Sequence, residues 1–343
     1  MTEAVLSRNT DATVRREGLA APKAQSCLRY LNPDQYPVWD ALVDAAAQGS
    51  VFTYSWWLQA VGNTRVLGYF ENDRLVAGIP LYSENKFGFT LCRMPPRCPA
   101  WGVVMAPIEG KSVNVATREI ELLRIFAKHL AGQKIFFHLF PRSSQNWLPF
   151  YWNGFRQTAR FTYVIDDIKN LDEVWDGLAH NIRGEIRKAE RRGLEVRPCS
   201  VADVSEAEVK TFGRQHMHQP SSEGYLERLF AAAAQHSSGE CFAAVDADGR
   251  IHAANMVVWD RRTTYFFAGG ADPELRTSGA TSLLVWKLIQ FAAERSSSFD
   301  FCGSVVPQIE RFFRAFGGRQ VPCHAIMKFP LWMRVVLAAK GKI

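Results

Sequence analysis

Residues 299–318 read FDFCGSVVPQIERFFRAFGG. The alternation around Phe299 and Phe301 predicts a strand that buries both phenylalanines on one face. The Gly-Ser pair at 303–304 ends that strand, because both residue types favour turns. In open α/β sheets, ligands bind beyond the carboxyl ends of the strands. The sequence therefore predicts a ligand site where this strand ends.

A short amphipathic helix is predicted directly after the strand, over residues 306–316. Its spacing directs four large apolar side chains to one side: Ile309, Phe312, Phe313 and Phe316. Glu310, Arg311 and Arg314 are left near the mouth of the strand. Charged residues at such a mouth are candidates for a functional role.

The composition is typical of a folded protein with a sizeable core. The chain has 343 residues, of which 47% are hydrophobic and 12% aromatic, and this length favours about two domains. The mixture of helical and strand patterns indicates an α/β class with mixed sheets. No apolar run reaches the roughly 18 residues needed to cross a bilayer. Residues 1–25 are polar and aperiodic, and we expect a flexible N-terminal tail there.

The cysteine and charge patterns restrict the compartment and the partners. Seven cysteines are scattered without a Cys-x-x-Cys pair, which indicates reduced thiols, a cytoplasmic location and no metal site. An excess of 41 Lys and Arg over 34 Asp and Glu gives a net charge of +7. A basic chain favours nucleic acid, a phosphorylated small molecule or a membrane surface. The charge alone does not choose among the three.

The two halves of the sequence resemble each other. Phe126 and Phe291 lie in similar helix ends, a strand follows each, and Gly154 and Gly317 come after at nearly the same offset. A repeat this long indicates duplicated domains, unless two helix–strand–helix units are alike by chance. We expect four segments: the tail at 1–25, an N-terminal domain at 26–168, a C-terminal catalytic domain at 169–330 and a C-terminal tail at 331–343.

Apolar periodicity predicts the remaining elements. Helices are expected near 33–48, 113–131, 203–217, 222–236 and 279–295. Strands are expected near 65–70, 74–82, 134–140, 240–246, 250–259, 263–270 and 320–329. Asn170, three residues before Glu173, predicts a capped helix whose apolar stripe continues to Gly193.

A candidate phosphate site lies at the start of the helix at 279–295. Ser278 can cap this helix, and Gly279 lets a ligand approach free backbone N–H groups at its positive end. Arg276 can add a charge-assisted hydrogen bond to a phosphate, and Thr281 completes the segment. An ordinary helix cap would have the same residues.

A second basic feature lies on the helix that begins near Asn170. Arg183, Arg187 and Arg191 are four residues apart and share one helical face. Such a face is either a solvated surface with salt bridges or a surface that follows a chain of phosphates.

Four segments together resemble the Fem-type (FemAB-like) aminoacyl and acyl transferases of the GNAT superfamily. They are VFTYSWWL at 51–58, NIRGEIRKAERRG at 181–193, FDFCG at 299–303 and FRAFGG at 313–318. The resemblance covers residues 28 to 329 and implies two tandem GNAT-like domains. It also implies an N-acyltransferase that moves an acyl group from an activated donor to an amine, in cell-envelope or polysaccharide biosynthesis.

The resemblance further implies roles for individual residues. Arg314 occupies the place of a lysine in the family's Phe-Lys element and keeps its positive charge near the reacting groups, where it would stabilise an oxyanion or hold a phosphate. Arginine cannot act as a base at neutral pH, so Asp300 and Glu310 are the candidate bases. The candidate substrate-binding residues are Arg183, Arg187, Tyr225, Asn255 and Tyr265.

Two donors remain open, and neither is expected to be a tightly bound cofactor. Acyl-CoA is slightly favoured, because GNAT enzymes hold the CoA pyrophosphate with a loop like the one at 276–281. Aminoacyl-tRNA fits the basic helix and the likeness to peptidoglycan-bridge enzymes. The chain shows no long heptad insertion of the kind found in several tRNA-using relatives. The amine acceptor is either a small molecule or lipid-linked.

The C-terminal tail, residues 331–343, mixes large apolar residues with basic ones. It either packs on the core as a last helix or lies on an anionic membrane surface, at the inner face of the membrane. Membrane contact would also suit a different class of protein, a non-catalytic scaffold with a GNAT fold.

Overall fold

The computed structural model describes residues 26–86, 88–214, 222, 224–303 and 305–339. The predicted N-terminal tail and residues 340–343 of the predicted C-terminal tail lie outside these ranges.

Within the described residues there are eleven α-helices. They are α1 (Tyr36–Ala45), α2 (Ser55–Val61), α3 (Ser112–Leu130), α4 (Leu148–Tyr151), α5 (Leu171–Gly177), α6 (His180–Arg191), α7 (Val201–Arg214), α8 (Tyr225–Gln235), α9 (Ala280–Ala293), α10 (Pro307–Ala315) and α11 (Leu331–Ala339). Short 3₁₀ turns cover Pro33–Gln35, Val51–Thr53 and Arg276–Ser278.

The same residues form thirteen strands. They are β1 (Ser26–Tyr30), β2 (Thr64–Glu71), β3 (Arg74–Lys86), β4 (Phe89–Arg93), β5 (Val104–Met105), β6 (Ile135–Leu139), β7 (Arg156–Ile165), β8 (Glu195–Pro198), β9 (Gly239–Val245), β10 (Ile251–Trp259), β11 (Thr263–Ala271), β12 (Ser298–Asp300) and β13 (Arg319–Lys328).

All the described strands belong to one mixed sheet. Its order is β1-β2-β3-β4-β6-β13-β7-β12-β11-β10-β9-β8, and the short β5 pairs with β3. In each half, four antiparallel strands lead through a long helix, α3 or α9, to a strand that is parallel to the fourth. A short helix and one last strand then complete the half. This repeated topology confirms the predicted mixed α/β class with two tandem halves.

The two halves exchange their last strands. β7 of the N-terminal half lies between β12 and β13, and β13 of the C-terminal half lies between β6 and β7. β7 and β13 are paired along their length, from Arg319–Val164 to Met327–Arg156. The predicted boundary at residue 168 therefore divides the sequence but not the sheet.

The repeat extends to individual hydrogen bonds at the glycines that were compared in the sequence. Gly154 and Gly317 have φ values of +83° and +79°. The next residue donates its N–H to Phe150 O in the first half (3.1 Å) and to Phe313 O in the second (3.4 Å). This bond to the carbonyl five residues earlier is the usual glycine-dependent helix end. The two short helices thus end in the same way before the exchanged strands.

One predicted helix is two helices in the structure. The stripe that begins at Asn170 is interrupted at Leu178, which ends α5 in an extended conformation, and α6 starts at His180. The side chain of Leu178 is buried, and the N–H of Ala179 donates to Ala315 O at 2.9 Å. This bond connects the break to the end of α10. The prediction of one continuous helix was wrong, because the apolar stripe passes through Leu178 without showing the tertiary hydrogen bond that holds the chain extended there.

The helix at the C-terminal end is almost entirely exposed. None of the residues of α11 is buried, and its large apolar side chains are in solvent: Leu331, Trp332, Val335 and Val336. Its one aromatic contact in the described residues joins Trp332 to Phe89, with ring centroids 6.1 Å apart. No helix in the described ranges is long and apolar enough to cross a membrane.

The strand exchange predicts that neither half folds alone. A fragment of residues 26–168 would expose both edges of β7, and a fragment of residues 169–339 would leave β13 without either neighbour. We expect each isolated fragment to show no cooperative thermal transition by circular dichroism. When the two fragments are refolded together, the mixture should recover a cooperative transition. A cooperative transition in either isolated fragment would contradict the exchange as the source of stability.

Candidate functional site

The candidate site begins where two parallel strands separate. β11 and β12 pair at only three positions, from Thr263–Ser298 to Tyr265–Asp300. β12 then ends, whereas β11 continues against β10 to Ala271. On its other side, residues 266–271 of β11 pair with no described strand. The divergence opens a wedge through the sheet, lined on one side by backbone N–H and C=O groups.

The chain leaves the sheet abruptly after Asp300. The N–H of Phe301 donates to Tyr163 O at 2.9 Å, which holds it on β7. Cys302 and Gly303 both have left-handed backbone conformations, with φ values of +58° and +67°. A Cβ on residue 303 would lie 2.1 Å from Phe161 O, so only glycine fits there. A left-handed conformation costs a non-glycine residue such as Cys302 about 1–2 kcal/mol, and such strain is concentrated at functional sites.

The wedge is part of a groove of about 590 Å³. Its lining comes from β11, the turn after β12, α9, α10 and α7. The wall next to the turn is aromatic, because Phe301 stacks on Phe313 with centroids 4.8 Å apart and Phe266 packs against Phe313 at 6.3 Å. Such a wall suits an extended and mostly apolar ligand.

Two glycines in β11 allow close contacts beside the wedge. A Cβ on Gly269 would lie 2.4 Å from the side-chain amide of Asn255 on β10, and one on Gly270 would lie 2.2 Å from Ala207 O of α7. The hydroxyl of Thr211 on α7 also accepts the N–H of Ala271 at 3.0 Å. The end of β11 is therefore held by β10 at one edge and by α7 on one face, while its outer edge remains open to a ligand.

The predicted phosphate loop lies at one end of the groove. Arg276 and Thr281 line the groove, whereas Ser278 and Gly279 do not. Ser278 is buried, and its hydroxyl accepts the N–H of Ala280 at 3.3 Å. Gly279 has a φ of +85°, and a Cβ there would lie 2.3 Å from Glu185 O of α6. These two residues shape the turn, and Arg276 with the first turn of α9 faces the ligand space.

A buried ion pair, which the sequence did not indicate, lines the opposite side of the groove. Arg97 donates to both carboxylate oxygens of Glu208 on α7, at 3.0 and 2.7 Å. Both side chains are almost fully buried. Arg97 belongs to the proline-rich loop of the N-terminal half. The groove is therefore built from both halves of the chain.

A second, smaller cavity of about 70 Å³ lies beside the groove, and Cys302 lines both. We call it the junction cavity, because its walls come from both halves. Its polar lining residues are Ser50, Arg142, Arg160, Thr162, Tyr265 and Asp300. The predicted base Asp300 and the predicted substrate residue Tyr265 therefore lie here. Asn255 lies in the groove itself.

Asp300 is buried in this cavity. One of its carboxylate oxygens accepts hydrogen bonds from the hydroxyl of Thr162 and, at 2.8 Å, from the N–H of Cys302. Burial raises the pKa of Asp300 above its ordinary value, although both hydrogen bonds oppose the shift. Burial also raises the pKa of the Cys302 thiol, so this cysteine stays neutral and is not an activated nucleophile.

Arg314 and Glu310 lie outside both cavities. Their side chains form an ion pair with a 2.8 Å Nε–Oε1 distance, and Arg314 is 63% exposed. The Arg314 guanidinium and the Tyr163 hydroxyl hold the pKa of Glu310 below its ordinary value, which makes it a weaker base. The geometry gives no support to the predicted catalytic roles of Arg314 and Glu310, because neither residue reaches the groove.

Three predicted substrate residues also lie away from the groove lining. On α6, Arg183 is 3.8 Å from Asp176, and the guanidinium of Arg187 lies 5.6 Å from the ring centroid of Trp175. Tyr225 is buried, and its hydroxyl donates to Pro96 O at 3.2 Å. The loop at 276–281 contacts the end of α6. Arg192, which directly follows α6, donates to Thr277 O at 3.1 Å. The basic helix thus borders the groove without lining it.

The region that contains this site matches a known family. Residues 178–314 match the model of the family described as "Acetyltransferase (GNAT) domain". This range contains the separating strands, the loop at 276–281 and α10. The C-terminal half is therefore similar to GNAT acetyltransferase domains. No curated protein sequence matches the chain.

The fold of almost the whole chain is similar to that of solved structures. FemX superposes with a TM-score of 0.64 at 12% identity, over 87% of this chain and 96% of that protein. The C-terminal domain of a putative lysylphosphatidylglycerol synthetase from Agrobacterium fabrum gives 0.55 at 12% identity, over 89% and 94%. L-PGS from Bacillus licheniformis gives 0.53 at 13% identity, over 90% and 96%. The predicted resemblance to Fem-type GNAT proteins and the assignment as an acyltransferase are confirmed.

The buried carboxyl of Asp300 predicts a pH-dependent stability. A pKa raised by folding favours the protonated, folded state, so this contribution is complete below the ordinary aspartate pKa of about 3.9 and is lost as the pH rises through the folded value. We expect the Asp300→Asn variant, which keeps an acceptor for Thr162, to gain stability relative to the wild type as the pH rises from 4 to 8. Urea unfolding at several pH values measures this difference. A difference that stays constant would show that Asp300 titrates normally.

Proposed function

We propose that this protein is an N-acyltransferase that binds acyl-CoA in the groove and transfers the acyl group to an amine. The observation that carries the proposal is the wedge between β11 and β12, which lies directly beside the start of α9. An extended donor can thus place anionic phosphates at one end and its carbonyl carbon among backbone N–H groups at the other.

The residues at each end of the groove fit the parts of such a donor. Arg276 and the first-turn amides of α9 offer positive charge to a pyrophosphate. The aromatic wall and the open edge of β11 fit a pantetheine arm, whose amides hydrogen-bond as a strand does. Transfer then requires a neutral amine, a route for one proton and donors for the oxyanion. We assign the oxyanion role to backbone N–H groups of β11.

The description of the matching family and the geometry of the loop at 276–281 both support acyl-CoA. A second candidate donor is aminoacyl-tRNA, which is supported by the contact of α6 with that loop. A chain of phosphates bound on Arg183, Arg187 and Arg191 would have its end beside the groove. The name lysylphosphatidylglycerol synthetase, carried by one structural neighbour, denotes transfer of an amino acid.

The Arg276→Ala variant tests whether Arg276 binds the pyrophosphate of the donor. We expect it to raise the KM for acetyl-CoA about tenfold, the usual size of one charge-assisted contact. It should leave the KM for S-acetylpantetheine, which lacks the pyrophosphate, unchanged. Arg261→Ala is the matched control, because Arg261 is exposed, pairs with Asp44 and lines neither the groove nor the junction cavity. The measurement is release of free thiol in the presence of an amine.

Equal losses with both donors would mean that Arg276 supports folding or chemistry rather than the pyrophosphate. A wild type that releases no thiol from acetyl-CoA but transfers a label from aminoacyl-tRNA would establish the second donor. Absence of transfer from both acetyl-CoA and aminoacyl-tRNA would favour the alternative that the protein is a non-catalytic scaffold.

We further propose that α11 contacts an anionic membrane, which places the acceptor among amines of the cell envelope or of polysaccharide synthesis. Its large apolar side chains are exposed, Arg334 lies on the same helix, and Lys340 and Lys342 follow in the sequence. Each basic residue near an anionic surface contributes about 1 kcal/mol. An anionic lipid surface can therefore bury the apolar side chains of this helix and attract its basic residues.

Flotation with vesicles tests this contact. We expect the wild type to bind vesicles that contain phosphatidylglycerol but not vesicles of phosphatidylcholine alone. Replacing Leu331 and Trp332 by serine should reduce binding at least tenfold. The control is Val113→Ser, because Val113 is equally exposed but lies at the start of α3. Unchanged binding of the double variant would exclude α11 as the contact.

A further inference from the structure

The junction cavity contains three polar groups that the fold leaves for a ligand. The second carboxylate oxygen of Asp300 takes no part in the hydrogen bonds of the described residues. The same is true of the Tyr265 hydroxyl and of the exposed guanidinium of Arg160, and all three residues line the cavity. Asp300 is buried, and a buried carboxylate oxygen is rarely left without a partner. This free oxygen, next to a hydroxyl and a guanidinium that line the same space, therefore indicates a binding site.

The arrangement of charge in the cavity restricts what can bind. Arg142 also lines the cavity, but its guanidinium donates to Ser298 at 3.1 Å and lies 3.3 Å from the carboxylate of Asp166. The charged lining residues without an ion pair in the described residues are thus Asp300 and Arg160. A simple ammonium ion would pair with Asp300 but would be repelled by Arg160. A ligand with both an ammonium and a carboxylate group would match both residues.

The size of the cavity agrees with such a ligand. Arg160 and Thr162 project from the same face of β7, and Thr162 is bonded to Asp300. The cavity volume of about 70 Å³ holds about five water-sized groups. This matches the heavy atoms of an amino acid without its side chain.

We propose that the junction cavity binds the amino-acid end of the acceptor, with its amine at Asp300 and Tyr265 and its carboxylate at Arg160. The inference rests on the proposed acyl transfer, because Cys302 lines both this cavity and the groove that holds the donor, so that the two spaces are adjacent. The acceptor class is then a small amino acid or the free amino-acid end of a larger molecule.

This placement gives the reaction a complete proton balance. The acceptor ammonium gives one proton to the Asp300 carboxylate and becomes a neutral amine. Its nitrogen forms a bond to the donor carbonyl carbon, the C–S bond breaks, and the second proton moves from nitrogen to the departing thiolate. Asp300 then releases its proton to solvent. The products are an amide, free CoA and one proton. A carboxyl with a raised pKa suits this role, since its basicity is closer to that of an amine.

Direct binding tests the inference without turnover. Isothermal titration would compare glycine with ethanolamine, which has a hydroxymethyl group in place of the carboxylate. We expect the wild type to bind glycine at least tenfold more tightly than ethanolamine. Arg160→Gln should remove that preference. Arg156→Gln, on the same face of β7 but outside the cavity, should keep it. Asp300→Asn should weaken the binding of both probes.

The outcomes separate this inference from the proposed function. Equal binding of the two probes to the wild type, no binding of glycine, or a preference retained by Arg160→Gln would overturn the inference. A parallel titration with CoA tests the groove alone. Glycine binding without CoA binding would support the cavity while contradicting the proposed donor.

Discussion

The early end of β12 is the constraint on which the site depends. Because Phe301 is hydrogen-bonded to Tyr163 and Gly303 lies against Phe161 O, the chain must turn away from β11 after Asp300. The groove is the space that this turn leaves open. Tyr163 and Phe161 belong to β7, which comes from the other half of the chain. The C-terminal half therefore obtains its defining feature from the strand exchange.

The energetics explain why the strained turn persists. The left-handed Cys302 costs about 1–2 kcal/mol. Phe301 and its neighbours Phe299 and Phe316 are fully buried, and each contributes about 1.5–3 kcal/mol through burial. Burial thus outweighs the strain severalfold. The aromatic cluster that stabilises the turn also provides the apolar wall of the groove, so stability and ligand space depend on the same side chains.

Much of the fold, but less of the site, could be predicted from the sequence. The alternation around Phe299 and the periodicity of α9 depend on local burial, and local burial produces readable patterns. β7 was missed because residues 156–161 are largely exposed and do not alternate. The Arg97–Glu208 pair joins residues 111 positions apart, and no local pattern contains such a contact. The prediction for Arg314 rests on a family position, which does not specify the direction of the side chain, and in the structure this side chain pairs with Glu310.

Hydrogen–deuterium exchange with and without CoA tests the central claim most directly. If the donor lies in the wedge between β11 and β12, CoA will slow the exchange of the amides of residues 266–271 and of the first turn of α9. Exchange on α11 will stay unchanged. Protection confined to α6, or absent from residues 266–271 at saturating CoA, would contradict the account.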